Sequence, residues 1–281
     1  MTGRERVQRL LGGKRGDRPP MGEILFTKEF VESCRLNNLH DAVDFFNSDI
    51  MTLPVISTSA HGWKKWRCGS SFLMGSFSGP FSALIEYHGW KEASRMIVKN
   101  ETKAIEFMGE YLENGVAEIV EAGKAGCEAI LLADDIAGGS GPFVSPRFLI
   151  ECYFSLLSEY LKKKIFRNIP FFFHSDGNIL KLIPHVKSAG FKGIQGLQPS
   201  VGISPDKFNP EDYREFIFWG NFEFEGDQGL KNLSQLKTEV KSTLKSWDKF
   251  NYIFGSSGGI YENLKHEAAK AVCDQVAVYG E

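Results

Sequence analysis

Ala129-Ile130-Leu131-Leu132-Ala133-Asp134-Asp135 is an apolar run that ends in two carboxylates and is followed closely by Gly138-Gly139. A parallel strand covered on both faces has this unbroken apolar form, with polar residues collecting where it leaves the sheet. Residues 49–54, 72–77, 170–174, 193–197, 216–220 and 252–255 share it. Met21-Gly22-Glu23-Ile24-Leu25, entered through Arg18-Pro19-Pro20, is the candidate first strand. Segments of helical period lie between them. Residues 92–123 carry Met96, Ile97, Ile105, Met108, Leu112, Val116, Ile119 and Val120 at spacings of three and four, with a break expected near Asn100 or Asn114. Ser145-Pro146 and Ser204-Pro205 read as helix starts, serine capping and proline tolerating the first turn. The first of these helices is expected to run to about Lys164, and residues 234–247 and 261–278 give the last two. At the N-terminus Thr2 and Glu5 have capping-box spacing, and Gly12-Gly13 follows Leu10-Leu11, which predicts a helical extension.

Eight strands alternating with helices favour an α/β fold of the (β/α)8 TIM-barrel type over an open doubly wound sheet. After the first strand an open sheet would show a glycine-rich phosphate loop. Glu23-Ile24-Leu25-Phe26-Thr27 holds neither GxGxxG nor GxxxxGK[ST], which argues against a dinucleotide site and a P-loop. One domain over residues 1–281 is expected, since barrels of roughly 250 residues are single domains.

Composition narrows the function. With 33 basic and 35 acidic residues the net charge is −2, so no basic field for nucleic acid is present. Lys162-Lys163-Lys164 falls at a helix end, where it complements the dipole. No apolar run approaches the length of about 18 residues that a membrane span needs. The N-terminus is polar, and the five cysteines are scattered without CxxC spacing. A cytoplasmic protein without a disulfide framework is expected. Phenylalanine is over-used at 23 copies, most of them core and a minority expected to wall an apolar or stacking pocket.

Barrels of this kind draw their chemistry from the carboxyl ends of the strands. The polar residues there are Glu23, Ser76, Ser78, Asp134, Asp135, His174, Asp176, Asn178, Gln195, Gln198, Asn221, Glu223, Ser256 and Ser257. This set of acids and amides has one histidine and no arginine. A polyanion would need several cationic partners. A neutral heterocycle with donors and acceptors on its edge, such as a pterin or purine, suits the set better. Consecutive strand residues face opposite sides, so one of Asp134 and Asp135 is expected to face the site and the other to cap a turn. His174 reads as a metal ligand, a general acid or a satisfied core histidine. Asn221 reads as a corner residue or as a hydrogen-bonding edge.

Taken in order, Ala133-Asp134-Asp135, Ser145-Pro146-Arg147-Phe148, His174-Ser175-Asp176-Gly177-Asn178, Gly193-Ile194-Gln195-Gly196-Leu197-Gln198-Pro199 and Trp219-Gly220-Asn221 resemble the uroporphyrinogen decarboxylase superfamily over nearly the whole chain. That superfamily joins haem-pathway decarboxylases to corrinoid-dependent methyltransferases. The decarboxylases carry an RQAGR-type loop after the first strand. Glu23-Ile24-Leu25-Phe26-Thr27-Lys28-Glu29 has no arginine, which argues against a polycarboxylate porphyrinogen. Thiol-methylating members pair His-x-Cys with a distant Cys around zinc. Here the places read His174-Ser175-Asp176 and Gly255-Ser256-Ser257-Gly258-Gly259, so no zinc is expected.

The resemblance then implies a methyltransferase of the tetrahydrofolate-methylating type. It implies a methylcobalamin-like corrinoid on a separate corrinoid protein as the methyl donor; the chain shows no DxHxxG signature, so the corrinoid is expected to arrive on a partner or free. It implies Asp135, Asp176 and His174 as catalytic residues, and Asn221, Gln198, Glu23, Asp134, Gln195 and Glu223 as substrate-binding residues. Three alternatives stay open: methyl transfer to a thiol such as coenzyme M with a metal at His174, a uroporphyrinogen-type decarboxylase, and a barrel that binds without turnover.

Overall fold

In a computed structural model, residues 1–67, 69–224 and 232–279 are described; Cys68 lies outside them. The strands are β1 (Ile50–Pro54), β2 (Phe72–Ser78), β3 (Ala129–Ala133), β4 (Ala137–Gly138), β5 (Gly141–Pro142), β6 (Phe171–Ser175), β7 (Gly193–Gly196), β8 (Ile217–Phe222) and β9 (Asn251–Ser256). β4 and β5 form a small antiparallel pair. The other seven are hydrogen-bonded in the order β1-β2-β3-β6-β7-β8-β9. The registers run parallel, with Ser78 opposite Ala133, Ala133 opposite His174, and Asn221 opposite Gly255. Parallel neighbours need crossover connections, and helices between the strands supply them. Every residue of β6 and β8 is buried, the polar His174, Ser175 and Asn221 toward their carboxyl ends included.

All seven runs expected after the first strand are strands. The first, Met21-Gly22-Glu23-Ile24-Leu25, is not a ladder. Met21, Gly22 and Phe26 make only isolated parallel bridges, to Phe254, Ile50 and Ile260. Gly22 N–H donates to Phe254 O, and Phe254 N–H to Pro20 O. A continuing ladder would next join Ser256 N–H to Gly22 O. Instead Ser256 N–H donates to the Glu23 carboxylate, and Gly22 O accepts the Trp219 indole N–H at 2.9 Å.

The N-terminal helix Gly3–Leu11 carries the expected capping box between Thr2 and Glu5. The helical stretch over 92–123 breaks at both expected places, giving Trp90–Lys99, Glu101–Asn114 and Val116–Ala125. Asn100 Oδ1 caps Lys103 N–H at 3.3 Å. Pro146 opens a helix as expected, but the Ser145 side chain makes no cap hydrogen bond. A π-helical turn, Leu149–Tyr153, follows, and the helix ends at Leu161. Ser204-Pro205 opens only the 3-10 turn Pro205–Lys207. There the Ser204 hydroxyl bonds the Asp206 carboxylate rather than a backbone N–H, and Phe208 returns to extended backbone. The last two helices are Leu233–Ser246 and His266–Ala277. Among the described residues no helix is long and apolar enough to cross a membrane.

Contacts gather in two compact units. One comprises Met1–Thr52, Arg67–Leu73 and Gly196–Glu281; the other comprises Leu53–Trp66 and Met74–Gln195. The core of the first centres on Trp219, Trp247, Phe218, Phe30 and Phe46, all fully buried. Trp247 stacks on Tyr252 with centroids 5.2 Å apart. The second packs Phe77, Tyr153, Phe172 and Phe173, also fully buried. Each such side chain contributes roughly 1.5–3 kcal/mol through removal from water.

In the first unit a buried ion cluster ties the N-terminal segments together. Asp49 accepts Arg6 Nη1 at 2.5 Å, Arg18 Nη1 at 2.7 Å and Met21 N–H at 2.8 Å. Arg6 also bonds Asp17. Removing one partner of a buried pair leaves the other charge uncompensated. Asp49→Ala is therefore expected to cost roughly 3–5 kcal/mol in urea denaturation, and a loss near zero would show that the cluster does not hold the segment.

Candidate functional site

In the second unit, β3 and β6 lie side by side and deliver Asp134, Asp135, His174 and Asp176 from their carboxyl ends. The two adjacent aspartates part company. Asp134 is fully buried and accepts Phe81 N–H, Ser82 N–H, the Ser82 hydroxyl and the Tyr153 hydroxyl at 2.5–2.9 Å. It thus caps the helix Pro80–His88, whose own N-cap, Gly79, has no side chain to do so. A Cβ at Gly79 would stand 2.1 Å from the Asp134 carboxyl carbon. Burial raises the Asp134 pKa, and these hydrogen bonds oppose the shift. Both oxygens of Asp134, expected in substrate binding, are thus engaged by donors within the fold.

Asp135 is the exposed member. Its Oδ1 accepts Asp176 N–H at 2.8 Å and lies 3.6 Å from His174 Nε2. His174 is 6% exposed, and its Nδ1 is hydrogen-bonded to Oε1 of the fully buried Gln195. An amide oxygen only accepts, so Nδ1 carries the hydrogen of this bond, and Nε2 is the ring nitrogen turned toward Asp135. One ligand atom each from Asp135, His174 and Asp176 lie within 4.8 Å of one another. The turn beyond is pinned: Ser175 Oγ accepts Ile136 N–H at 3.1 Å, and Asn178 N–H donates to Gly138 O at 2.9 Å. Gly177 has φ +80, and a Cβ there would meet Ala137 O at 2.6 Å, so only glycine passes.

In the first unit, Gln198, Glu223, Ser256 and Ser257 line a cavity of about 340 Å³, walled by Phe222 and Tyr261 among others. None of its described lining residues is Arg or Lys. Glu223 is held by Ser200, whose N–H and hydroxyl donate to its two oxygens at 2.9 and 2.8 Å. Glu23 lies behind Ser256, accepting its N–H at 3.0 Å and its hydroxyl. Burial pushes the Glu23 pKa up to about 7 against these two hydrogen bonds.

Asn221, expected at a ligand edge, is a clamp. Its Nδ2 donates to Leu197 O at 2.6 Å and Ile203 O at 2.8 Å, and its Oδ1 accepts the Trp247 indole N–H at 2.8 Å. It sits at φ +64, a corner that asparagine tolerates. The loop it closes carries Gln198 and Ser200. Ser200, Ser82, Tyr153 and Trp247 are the partners that sequence reasoning missed. Ser200 stands one residue past the quoted Gly193–Pro199 motif, and Tyr153 lies in a helix whose spacing marks it only as core.

The family model for uroporphyrinogen decarboxylase (URO-D) matches residues 25–279. The chain belongs to the URO-D family. No curated protein matches it. Among solved structures, it is similar to a methyltransferase from Methanosarcina mazei, at 15% identity over 100% of both chains with a TM-score of 0.82. It also resembles a B12-independent methionine synthase from Shewanella sp. W3-18-1, at 11% identity over 78% of this chain and 64% of that one with a TM-score of 0.51. At these identities the likeness concerns the fold. In this URO-D family member the fold is α/β, with seven strands in a parallel sheet.

The Glu23 shift makes stability depend on pH. Its folded pKa, about 7, exceeds its ordinary value of 4.5, so the folded state binds the extra proton between the two. Stability from this group is greatest below pH 4.5 and falls as pH rises to about 7, by roughly 3 kcal/mol in all. Glu23→Gln is expected to remove that fall, read as the difference in unfolding free energy between wild type and variant across the range. A constant difference would contradict the shift.

Proposed function

We propose that this chain is a methyltransferase that moves a methyl group from a methyl-corrinoid, carried on a partner corrinoid protein, to tetrahydrofolate. The observation that carries the reading is the cavity of the first unit. Its described lining offers two amides, a carboxylate and hydroxyls between aromatic walls, without a cation. A flat, neutral pterin with donors along one edge matches such a lining; a polyanionic porphyrinogen does not. The carboxylate of Glu223, pre-oriented by Ser200, takes the donor edge of the ring, and Gln198 takes an adjacent donor or acceptor. The fold likeness to the Methanosarcina mazei methyltransferase adds support. Residues 1–281 act as one domain in this reading, supported by a family match that draws on both units. A closed eight-stranded barrel is part of it too, supported by the bridges of Met21 and Gly22 to Phe254 and Ile50.

The reaction is an in-line displacement. The acceptor nitrogen forms its bond to the methyl carbon as the bond to the corrinoid breaks, and the protein's main contribution is to position the reactants. Anaerobic mixing of protein, methylcobalamin and tetrahydrofolate is expected to bleach the methylcobalamin spectrum only when all three are present. Glu223→Gln is expected to lower kcat/KM for tetrahydrofolate by roughly 10–100-fold. Demethylation that proceeds with thiols and not with tetrahydrofolate would overturn the acceptor.

A second reading has its own observation. Asp135, His174 and Asp176 offer one nitrogen and two oxygen ligands within 4.8 Å, and His174 is oriented through Gln195 as metal-bound histidines commonly are. This donor set fits a divalent cation that accepts oxygen ligands. Such a metal would bind and activate an acceptor, a thiol such as coenzyme M among them. Elemental analysis decides: under this reading near-stoichiometric divalent metal is retained by wild type and lost in His174→Ala, and metal-free active protein would exclude it.

A further inference from the structure

A second cavity of the first unit, about 190 Å³, lies at the amino end of β9, the end opposite Ser256. Its walls are Leu10 of the N-terminal helix, Leu244, Trp247, Phe250, Tyr252 and Tyr279. The Trp247 and Tyr252 rings are stacked, with centroids 5.2 Å apart and planes 6° apart, and Phe250 meets Trp247 edge-on at 5.3 Å. The polar atom of each stacked ring is spent inside the fold. The Trp247 indole N–H donates to Asn221 Oδ1 at 2.8 Å, and the Tyr252 hydroxyl donates to Gly220 O. What the two rings offer the cavity is therefore apolar surface.

Four charged residues belong to its described lining, and each already has an opposite charge beside it. At the exposed rim Arg15 pairs with Asp248 at 3.0 Å. Arg18 pairs with Asp49 at 2.7 Å, and Asp17 with Arg6 at 2.6 Å. A charged ligand would have to displace one of these partners or enter beside a like charge. A neutral ligand leaves all three pairs intact. An apolar cavity of roughly 150 Å³ takes a benzene ring, so this one has room for one or two fused rings. A flat ring also extends the existing stack by its face or edge.

We propose that this cavity is an effector site for a small neutral aromatic molecule of one or two rings, and that its occupancy is felt at the larger cavity through Trp247 and Asn221. The link is a short chain of bonds inside one unit. Trp247 walls the smaller cavity and holds Asn221, and Asn221 Nδ2 holds the carbonyls of Leu197 and Ile203 at 2.6 and 2.8 Å. Between those two carbonyls stand Gln198 and Ser200, which line the larger cavity. A ring against Trp247 restricts that side chain and the clamp with it, so the loop over 198–202 loses freedom. By reciprocity, a ligand that orders this loop strengthens binding in the smaller cavity. None of this depends on which molecule the larger cavity receives.

Indole is the probe. Titration calorimetry of the full chain is expected to show indole binding with Kd on the order of 0.1–1 mM. A crystal structure of the complex is expected to show the ring against Trp247 and Tyr252. Y279A removes an aromatic wall at a half-buried position beyond the last helix, and is expected to weaken binding roughly 3–10-fold. Hydrogen exchange over residues 198–203 is expected to slow roughly 5-fold or more at saturating indole. The slowing is expected to vanish in N221G, since glycine accepts the φ of +64 but cannot clamp the loop. No binding in the millimolar range, or a ring seated only in the larger cavity, overturns the site. A ring beside Trp247 with exchange over 198–203 unchanged, or slowing that persists in N221G, overturns the effector role. If N221G does not fold, the wild-type exchange decides that role alone.

Discussion

Asp49 is the anchor on which the geometry of the first unit depends. Its side chain is 4% exposed and receives two guanidinium groups, from Arg6 and Arg18, together with the Met21 N–H. Desolvating such charges is costly, and the cost is offset only when every partner is in place. The cluster therefore fixes three otherwise separate pieces: the N-terminal helix, the Arg18-Pro19-Pro20 segment and the start of β1. Two residues beyond Met21 comes Glu23. The Trp219 indole holds the intervening Gly22 carbonyl, so Glu23 leaves the backbone from a point set on both sides. A flexible segment here would let the carboxyl reach water, and its raised pKa would relax.

Burial acts differently on the acids of the chain. Asp134 is buried among donors and serves as a remote helix cap. Glu23 is buried behind one serine, and no cation pairs with it among the described residues. Asp135 stays exposed, its carboxylate shared between a backbone N–H and the neighbourhood of His174. Glu223 is shaped by Ser200 at the rim of the cavity. Similar carboxyl side chains are thus set apart by their surroundings, one as a buried helix cap, one as a buried group of raised pKa, one exposed beside His174 and one held by Ser200.

Much of the fold was legible in the sequence because buried parallel strands are unbroken apolar runs, and seven of these became strands with nearly the expected limits. The first candidate strand misled because its ladder is interrupted by side-chain bonds of Glu23 and Trp219, which no periodicity reveals. Ser204-Pro205 misled for a similar reason, its hydroxyl turning to Asp206 instead of the backbone. For the candidate site, the polar residues read at the strand ends include Asp135, His174, Asp176 and Gln195, which the structure brings together. Alternation along a strand said that Asp134 and Asp135 diverge but not which faces solvent, since that depends on the helix that Asp134 caps. Asn221 carried both of its readings in the sequence; the carbonyls of Leu197 and Ile203 select the corner.

In the proposed function, the cavity beside Glu223, Gln198 and Ser256 receives a neutral heterocycle by its donor edge. A crystal structure of the protein with bound tetrahydrofolate tests it most directly. The pterin ring is expected between the aromatic walls, with its donor edge on the Glu223 carboxylate and Gln198 within hydrogen-bonding reach of the ring. A pterin bound elsewhere, or turned with its donor edge away from Glu223, would contradict it.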